Sequence, residues 1–243
     1  TIDNIKPVPG LLKFIIYLFS LGSAKKIYNQ SKSSGEKLCD SLESMGPTFI
    51  KLGQFLATRP DIIGEEIAKN LEKLQDKLPA FNTTESKRII KNEIGEKFYS
   101  KIKTISEPIA AASIAQVHFA KIDIDGSKKD LAIKILRPDI QKIFNEELDA
   151  LNFLAYLVEN IFRKTKRLRL VEVIFLLKQI TNMEMDLRFE AAAASELREN
   201  TLNDRGIKVP KIYWNFTSKK ILTLDRIEGV SIRDTLKIQS LNI

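Results

Sequence analysis

The sequence has almost no cysteine or histidine, the side chains that form disulfides and most zinc sites. Its 243 residues include one cysteine, Cys39, and one histidine, His118. A single cysteine excludes an internal disulfide and a cysteine-rich metal site. A single histidine argues against a zinc site built on histidines and against a Ser-His-Asp triad. His118 is most simply a strand side chain, and Cys39 a small buried residue.

The sequence also lacks a hydrophobic run long enough to cross a bilayer. The apolar run Leu11–Phe19 contains Lys13 and is much shorter than the ~20 residues of a spanning helix. The neighbouring prolines and the later lysines are unlike a signal peptide. We therefore expect residues 1–35 to hold an interfacial or core helix and a Ser-rich linker. Since the chain begins with Thr1, we also expect it to have been cut at its front.

Basic residues outnumber acidic ones by 39 to 31, which gives a formal charge of +8. This balance favours an anionic partner, such as a phospholipid surface, a nucleotide or a nucleic acid. The basic run Arg163–Arg169 predicts either a solvated loop or a peripheral contact with an anionic bilayer, where each basic residue adds about 1 kcal/mol. Nucleic-acid binding is not expected, because no recognised binding motif accompanies the run.

Residues 36–103 predict a helical extension. Their apolar residues recur at alternating steps of four and three, which makes one stripe along a helix. Gly46-Pro47 interrupts the stripe, and the proline suits the first turn of a new helix. A second amphipathic helix is predicted as far as Leu78, and a short third helix from Thr84 to Ile94.

Residues 104–230 alternate between strands and helices. The order predicts an α+β fold resembling the five-stranded antiparallel small lobe of a protein kinase, with an enlarged helical insertion. Residues 231–243 would then begin a truncated second lobe. The predicted helices are Asp139–Phe162 and Val171–Asn200. The predicted strands are Thr104–Ser106, Gln116–Ile124, Leu131–Leu136, Val209–Phe216 and Lys220–Asp225, with a turn at Asp125-Gly126.

A loop of small side chains lies between the first two of these strands. In a typical kinase the small residues at this place are glycines, which let the backbone approach phosphates closely. Alanines and a serine replace them here, and alanine stiffens the backbone. The loop therefore predicts a nucleotide lid with altered mechanics. Its residues are Ile109, Ala110, Ala111, Ala112, Ser113, Ile114, Ala115, Gln116 and Val117.

Lys134 is a charged residue within the apolar strand Leu131–Leu136. A lysine among apolar neighbours needs a charge partner, because an unpaired buried ammonium is costly. In a kinase its partners are the ATP phosphates and a glutamate on the regulatory helix. The alternative is an edge-strand lysine in solvent, which the loop upstream disfavours.

Two of three neighbouring carboxylates are candidates for that glutamate. Glu184, Asp186 and Glu190 lie on the predicted helix Val171–Asn200, where Asp186 and Glu190 share a face. Either Glu184 or Glu190 could pair with Lys134, while the others could hold Mg²⁺ or lock a neighbouring helix. The alternative is a solvated acidic face.

The early helix carries a polar face opposite its apolar stripe. Lys51, Gln54 and Thr58 fall together on that face. Gly53 costs about 1 kcal/mol relative to alanine inside a helix, which indicates close packing at that point. Taken alone, this pattern is simply a polar face.

Together these motifs resemble the UbiB-type atypical kinases, the aarF-domain proteins linked to ubiquinone biosynthesis. The resemblance spans about residues 36–233, with the motifs in the family's order. The matching segments are the K-x-G-Q element Gly46–Gln54 with Thr58–Asp61, the alanine-rich loop Ala110–His118, the ATP lysine in Ala132–Lys134, and the E-x-D segment Glu184–Asp186 with Phe189–Ala191.

The resemblance implies a nucleotide site. The alanine-rich loop would cover ATP, bound together with Mg²⁺, and Lys134 would bind the phosphates. Glu184 or Glu190 would orient Lys134. Leu224–Gly229 would be the hinge that holds adenine through backbone groups.

The resemblance also implies regulation and a membrane setting. Lys51 and Gln54 would gate the site, which blocks phosphorylation of other proteins and leaves ATPase-like or small-molecule chemistry. Expected partners are ATP, prenylated quinone precursors and other ubiquinone biosynthesis proteins, but no nucleic acid. The expected location is peripheral, on the cytoplasmic face of the bacterial inner membrane or its organelle equivalent.

One departure from the family's pattern limits the expected activity. Phosphoryl transfer needs a catalytic-loop Asp and Asn and a second, Mg²⁺-binding Asp, and nothing before Ile243 matches them. We therefore expect no phosphoryl transfer by the chain as it stands, which would be a truncated, split or decayed copy. The alternative function is a non-catalytic lipid-binding or scaffold module of a ubiquinone biosynthesis complex.

Overall fold

The computed structural model describes residues 33–74, 78–230, 232 and 235–240. The predicted apolar helix Leu11–Phe19 lies outside these residues. The chain divides into two compact units. Of the described residues, the first unit contains those up to Phe81, Ala111–Gln116 and Leu136–Met185, and the second contains Asn82–Ala110, Val117–Ile135 and those from Asp186 onward.

Four short helices come first within the described part of the first unit. They are α1 (Ser34–Met45), α2 (Pro47–Ala57), α3 (Pro60–Ile63) and α4 (Glu65–Leu71). Gly46, with a φ of +106°, separates α1 from α2 at the predicted place, and Pro47 occupies the first turn of α2. Their shared core consists of Leu38, Leu42, Ile63, Ala68, Leu71 and Leu74.

The second unit begins with α5 (Thr83–Tyr99), which is longer than predicted and kinked at Gly95, where φ is +75°. A sheet follows, with its strands hydrogen-bonded in the order β1, β2, β3, β4. These strands are β1 (Ile102–Ala111), β2 (Ala115–Ile124), β3 (Ser127–Leu136) and β4 (Ile221–Asp225).

Local sequence explains how these strands connect and pair. Asp125 and Gly126 both have positive φ, which is the conformation of a two-residue hairpin turn, so the predicted turn is confirmed. β4 runs antiparallel to β3 and places Leu222 opposite Lys134. The predicted α+β class is thus confirmed.

A helical hairpin completes the first unit. It consists of α6 (Ile140–Ile161) and α7 (Leu170–Glu184), joined by a 3-10 helix over Arg163–Leu168. α6 matches the predicted Asp139–Phe162 and packs against α7. Among the described residues, no helix has the length and apolar character required to span a bilayer.

The prediction of one helix over Val171–Asn200 is wrong. α7 ends at Glu184, and a new helix, α8 (Leu187–Asn200), begins beyond Asp186. Asp186 has φ −121° and ψ 94°, and its carboxylate accepts a hydrogen bond from the Arg188 N–H. An aspartate bonded to the backbone two residues ahead competes with a continuous helix and favours a helix start.

The sheet has four strands within the described residues, rather than the predicted five. Val209–Phe216 contributes one isolated bridge, between Ile212 and Leu224, and then forms a 3-10 helix. Pro210 has no N–H for a strand ladder. The N–H of Lys211 donates to the Asp225 side chain at 3.1 Å. The last described helix is α9 (Thr235–Ser240).

Candidate functional site

A lysine–carboxylate ion pair connects β3 to α8 within the second unit. Lys134 Nζ lies 2.7 Å from Glu190 Oε2 and 3.1 Å from Oε1. The Lys134 side chain is 28% exposed and that of Glu190 is 50% exposed, so the ammonium is half-buried yet open to a ligand. On the opposite face of the strand, Ile133 and Ile135 are buried. The sequence allowed either Glu184 or Glu190 as the partner of Lys134, and in the structure the partner is Glu190.

The start of α8 fixes the position of Glu190. The Leu187 N–H donates to the Lys219 carbonyl at 2.9 Å, and Asp186 caps the helix. Leu187 and Ala191 are buried, and α8 packs against β4. Glu190 therefore extends from the first turn of an anchored helix.

Asp186 caps the start of α8. Its carboxylate accepts hydrogen bonds from the Arg188 guanidinium at 2.8 and 2.6 Å. These bonds hold the pKa of Asp186 below its ordinary value. The carboxylate, engaged by Arg188, caps the start of its own helix, and the predicted roles of holding Mg²⁺ or locking a neighbouring helix stay predictions. Across the described ranges, no group of three or more His, Cys, Asp or Glu side chains could hold a metal ion.

A second ion pair joins α2 to α7 in the first unit. Lys51 Nζ lies 2.7 Å from Glu184 Oε2, with 18% of the lysine and 36% of the glutamate side chain exposed. That oxygen is buried and accepts no hydrogen bond of normal geometry from the described residues, so the contact is ionic. Removing one partner of a largely desolvated pair leaves an uncompensated charge. The structure therefore brings Lys51 and Glu184 together.

Gly53 and Gln54 follow Lys51 on α2. A Cβ added at Gly53 would lie 2.3 Å from Leu74 Cδ1 and 2.9 Å from Leu42 Cδ1, so the predicted close packing is confirmed. Gln54 is half-buried, and its predicted gating contact stays a prediction.

The alanine-rich loop joins β1 to β2 by a tight turn in the first unit. The Ala112 N–H donates to the Ala115 carbonyl at 2.8 Å. All of Ile109–Val117 is described, and none of these residues has a positive φ. The turn therefore does not need the conformational freedom of glycine, which explains why alanines fit. The buried residues of the loop are Ser113, Ile114, Ala115 and Gln116.

Arg137 also contacts this loop and was not predicted from the sequence. Its guanidinium donates to the carbonyl oxygens of Ala112 and Pro79, at 2.9 Å each. Its partners stand 25 and 58 residues away along the chain. The only local signal is the following Pro138, which favours an extended backbone at Arg137.

The predicted hinge Leu224–Gly229 lies in the second unit. Its first residues end β4, and the rest has no regular structure. Arg226 stacks on the Phe119 ring at 4.1 Å from the centroid, and its N–H donates to the Asp130 carbonyl at 3.3 Å. Binding of adenine by this segment stays a prediction.

A strand lysine held by a glutamate of a neighbouring helix is the arrangement found in protein kinases, and the comparisons with known proteins agree. A model of the ABC1 atypical kinase-like domain matches residues 73–243. The chain therefore belongs to the ABC1 atypical kinase-like family.

Relatives named probable protein kinase UbiB support this assignment. The chain is 36% identical over 238 residues to the protein of Marinobacter nauticus, which covers 98% of this chain and 42% of the relative. It is 37% identical over 211 residues to that of Cellvibrio japonicus, covering 86% and 38%. It is 38% identical over 213 residues to that of Histophilus somni, covering 87% and 39%. The chain thus spans about two fifths of the length of these curated relatives.

Proposed function

We propose that this chain binds MgATP and forms the nucleotide-binding part of a UbiB-like atypical kinase/ATPase. The ion pair between Lys134 and Glu190, 2.7 Å apart, carries the proposal. In protein kinases such a pair directs the lysine ammonium to the ATP phosphates. The half-exposed Lys134 supplies a positive charge for a phosphate, and Glu190 holds that charge in place.

Mg²⁺ is proposed to arrive with the nucleotide rather than at a preformed protein site. The described residues include no cluster of metal ligands, and Asp186 is engaged by Arg188. When bound, Mg²⁺ neutralises phosphate charge. The chain's own contribution is the Lys134 ammonium.

Thermal unfolding with and without MgATP tests this function. We expect MgATP to raise the Tm of the wild-type chain, because a ligand at a hundredfold excess over its Kd stabilises by about 2.7 kcal/mol. Lys134→Ala should abolish the shift, and Glu190→Gln should reduce it, since the lysine loses its orienting charge. Lys129→Ala is the matched control, because Lys129 is an exposed lysine of the same strand.

The control separates site binding from general loss of charge. Lys129→Ala should keep the wild-type shift. A shift that persists unchanged in Lys134→Ala would contradict the proposal, and so would an equal loss in Lys129→Ala.

For the whole protein, we propose a role in ubiquinone biosynthesis, with prenylated quinone precursors among its partners. The name of the relatives, probable protein kinase UbiB, supports this role. The same proposal gives the loop Ile109–Val117 the task of covering ATP and gives Lys51 and Gln54 that of gating. The rival, a non-catalytic lipid-binding or scaffold module, predicts no MgATP-dependent shift.

A peripheral contact with an anionic membrane is a second proposed property. Phe153, two turns before the end of α6, is 63% exposed, and Ile161, at the end of the α6–α7 hairpin, is 68% exposed. Lys166 and Arg167, in the connecting 3-10 helix, are exposed as well. Apolar side chains beside basic ones suit the interface of an anionic bilayer, on the cytoplasmic face of the inner membrane or its organelle equivalent.

Sedimentation with vesicles of anionic and of neutral phospholipid tests the membrane contact. We expect binding to anionic vesicles only, and about a thirtyfold loss on Lys166→Gln/Arg167→Gln, at about 1 kcal/mol per basic residue. Ile161→Ser should weaken binding further through lost apolar burial.

Two controls test whether the effect belongs to the hairpin end. Lys128→Gln/Lys129→Gln removes two charges from β3, and Phe189→Ser removes an exposed aromatic ring from α8. Equal losses in these controls, or equal binding to neutral vesicles, would refute the assigned surface.

A further inference from the structure

Arg137 ties the alanine-rich loop to a distant stretch of the first unit. Its Nε donates to the Ala112 carbonyl at 2.9 Å, its Nη1 to the Pro79 carbonyl at 2.9 Å, and its Nη2 to the Leu78 carbonyl at 3.4 Å. Its backbone N–H donates to the Ile114 carbonyl at 2.9 Å. One residue therefore binds two carbonyls of the loop and two of residues 78–79.

The shape of the guanidinium makes this arrangement specific to arginine. Its N–H donors form a rigid planar fork, whereas a lysine ammonium is a single compact centre on a flexible stem. The Arg137 guanidinium also lies 5.9 Å from the centroid of the Phe81 ring, within the range of a cation–π contact. A lysine at this position would keep the positive charge but would lack the planar set of N–H donors.

Gln116 reinforces the same connection from the other end of the loop. Its side chain is fully buried. Its Oε1 accepts from the Phe81 N–H at 2.9 Å, and its Nε2 donates to the Phe81 carbonyl at 3.2 Å. Both ends of the turn are thus held against residues 78–81, which leaves little freedom to its peptide groups.

The bonds from Arg137 also orient the loop's backbone. The described peptide bonds are all trans, and in a planar trans peptide the C=O and the following N–H point in opposite directions. Because the carbonyls of Ala112 and Ile114 face Arg137, the N–H groups of Ser113 and Ala115 point away from it. Backbone N–H groups of such loops are the usual ligands of phosphates.

We propose that Arg137 is a positioning residue, which holds the peptide groups of Ala112–Ala115 in a nucleotide-binding orientation. This inference rests on the proposed function and adds a residue that contacts the loop rather than the nucleotide. Preorganised backbone groups lose little conformational entropy when a ligand binds. Loss of Arg137 therefore weakens nucleotide binding by releasing the loop.

Isothermal titration with MgATP tests the proposal in the full 243-residue chain. Arg137→Ala should weaken MgATP binding about tenfold, and Arg137→Lys by a smaller factor. Millimolar guanidinium should restore part of the affinity of Arg137→Ala and none of the affinity of Lys134→Ala. Arg88→Ala, which removes an exposed arginine of α5, should bind as the wild type does.

Hydrogen exchange gives a readout independent of affinity. Peptides covering residues 112–116 and 78–81 should exchange faster in Arg137→Ala, while peptides of α8 should be unchanged. If Arg137→Ala does not fold, Arg137→Lys decides: weakened binding at an unchanged Tm supports the proposal.

The outcomes separate this proposal from the proposed function. Wild-type chain that binds no MgATP would overturn both. If the wild type binds MgATP and both Arg137 variants bind it equally well, the positioning role alone is overturned. The same follows if guanidinium does not restore the affinity of Arg137→Ala.

Discussion

At the residue scale, the surroundings of a side chain decide its chemistry. Burial and nearby carboxylates raise the pKa of the Cys39 thiol to about 11, and its Sγ lies 3.0 Å from the Asn70 carbonyl. A thiol with such a pKa is a poor nucleophile at neutral pH. The sequence predicted a small buried residue here, and Cys39 is half-buried. By contrast, the partner of Lys134 could not be chosen from the sequence, because that choice depends on where α8 begins.

His118 predicts a pH dependence of stability. It is fully buried, with Nδ1 donating to the Ser106 carbonyl at 2.7 Å and Nε2 lying 3.0 Å from Ser86 Oγ. Burial lowers its pKa in the folded state, whereas the unfolded chain titrates near 6.5. The contribution of His118 is therefore complete above about pH 6.5 and is lost as the pH falls towards the lower folded-state pKa.

Urea unfolding between pH 7.5 and about pH 5.5 measures this contribution. The free energy of unfolding should fall below about pH 6.5, with a limiting slope of about 1.4 kcal/mol per pH unit. No other histidine titrates in this range, since the chain has only one. In His118→Gln the free energy of unfolding should change less with pH, whatever the absolute stability of the variant. An unchanged slope in that variant would refute the assignment.

At the element scale, most boundaries follow from local sequence. Pro47, the Asp125-Gly126 turn and the apolar stripe of α6 predict their elements correctly, whereas the helix predicted as far as Leu78 is two short helices that end at Leu71. The break at Asp186 was missed because Asp186 and Glu190 are four residues apart, as on one continuous helix, and only the capping bond to the Arg188 N–H shows the interruption. The expected strand at Val209–Phe216 is reduced to a single bridge, in which the Tyr213 N–H donates to the Thr223 carbonyl and the Asp225 N–H to the Lys211 carbonyl. A 3-10 helix then begins at Trp214.

Gly53 gives a prediction for the packing of α2. Gly53→Ala should lower the free energy of unfolding by about 1 kcal/mol, because the overpacking cost exceeds the gain in helix propensity. The Cδ1 atoms of Leu74 and Leu42 lie where the new methyl group would stand. In a Leu74→Ala background the same change should become neutral or stabilising. Urea unfolding of the wild type, Gly53→Ala, Leu74→Ala and the double variant measures these free energies. An increase in stability on Gly53→Ala in the wild-type background would contradict the prediction.

At the scale of the whole molecule, the order of motifs along the chain is more informative than any single motif. The K-x-G-Q element, the alanine-rich loop, Lys134 and the E-x-D segment together predict the family that the comparisons show. Contacts between residues far apart in sequence could not be predicted in this way. Arg137 is the clearest example, since nothing near it in the sequence points to Leu78 or Ala112.

Chemical labelling tests the central claim, that Lys134 binds the phosphates of ATP, most directly. An ATP analogue with an acyl phosphate transfers its acyl group to a lysine next to the phosphates, and mass spectrometry of tryptic peptides then locates the label. We predict labelling at Lys134 that excess MgATP suppresses, with Lys129 labelled at background level. Labelling of Lys134 no greater than that of Lys129, or insensitive to MgATP, would contradict the account.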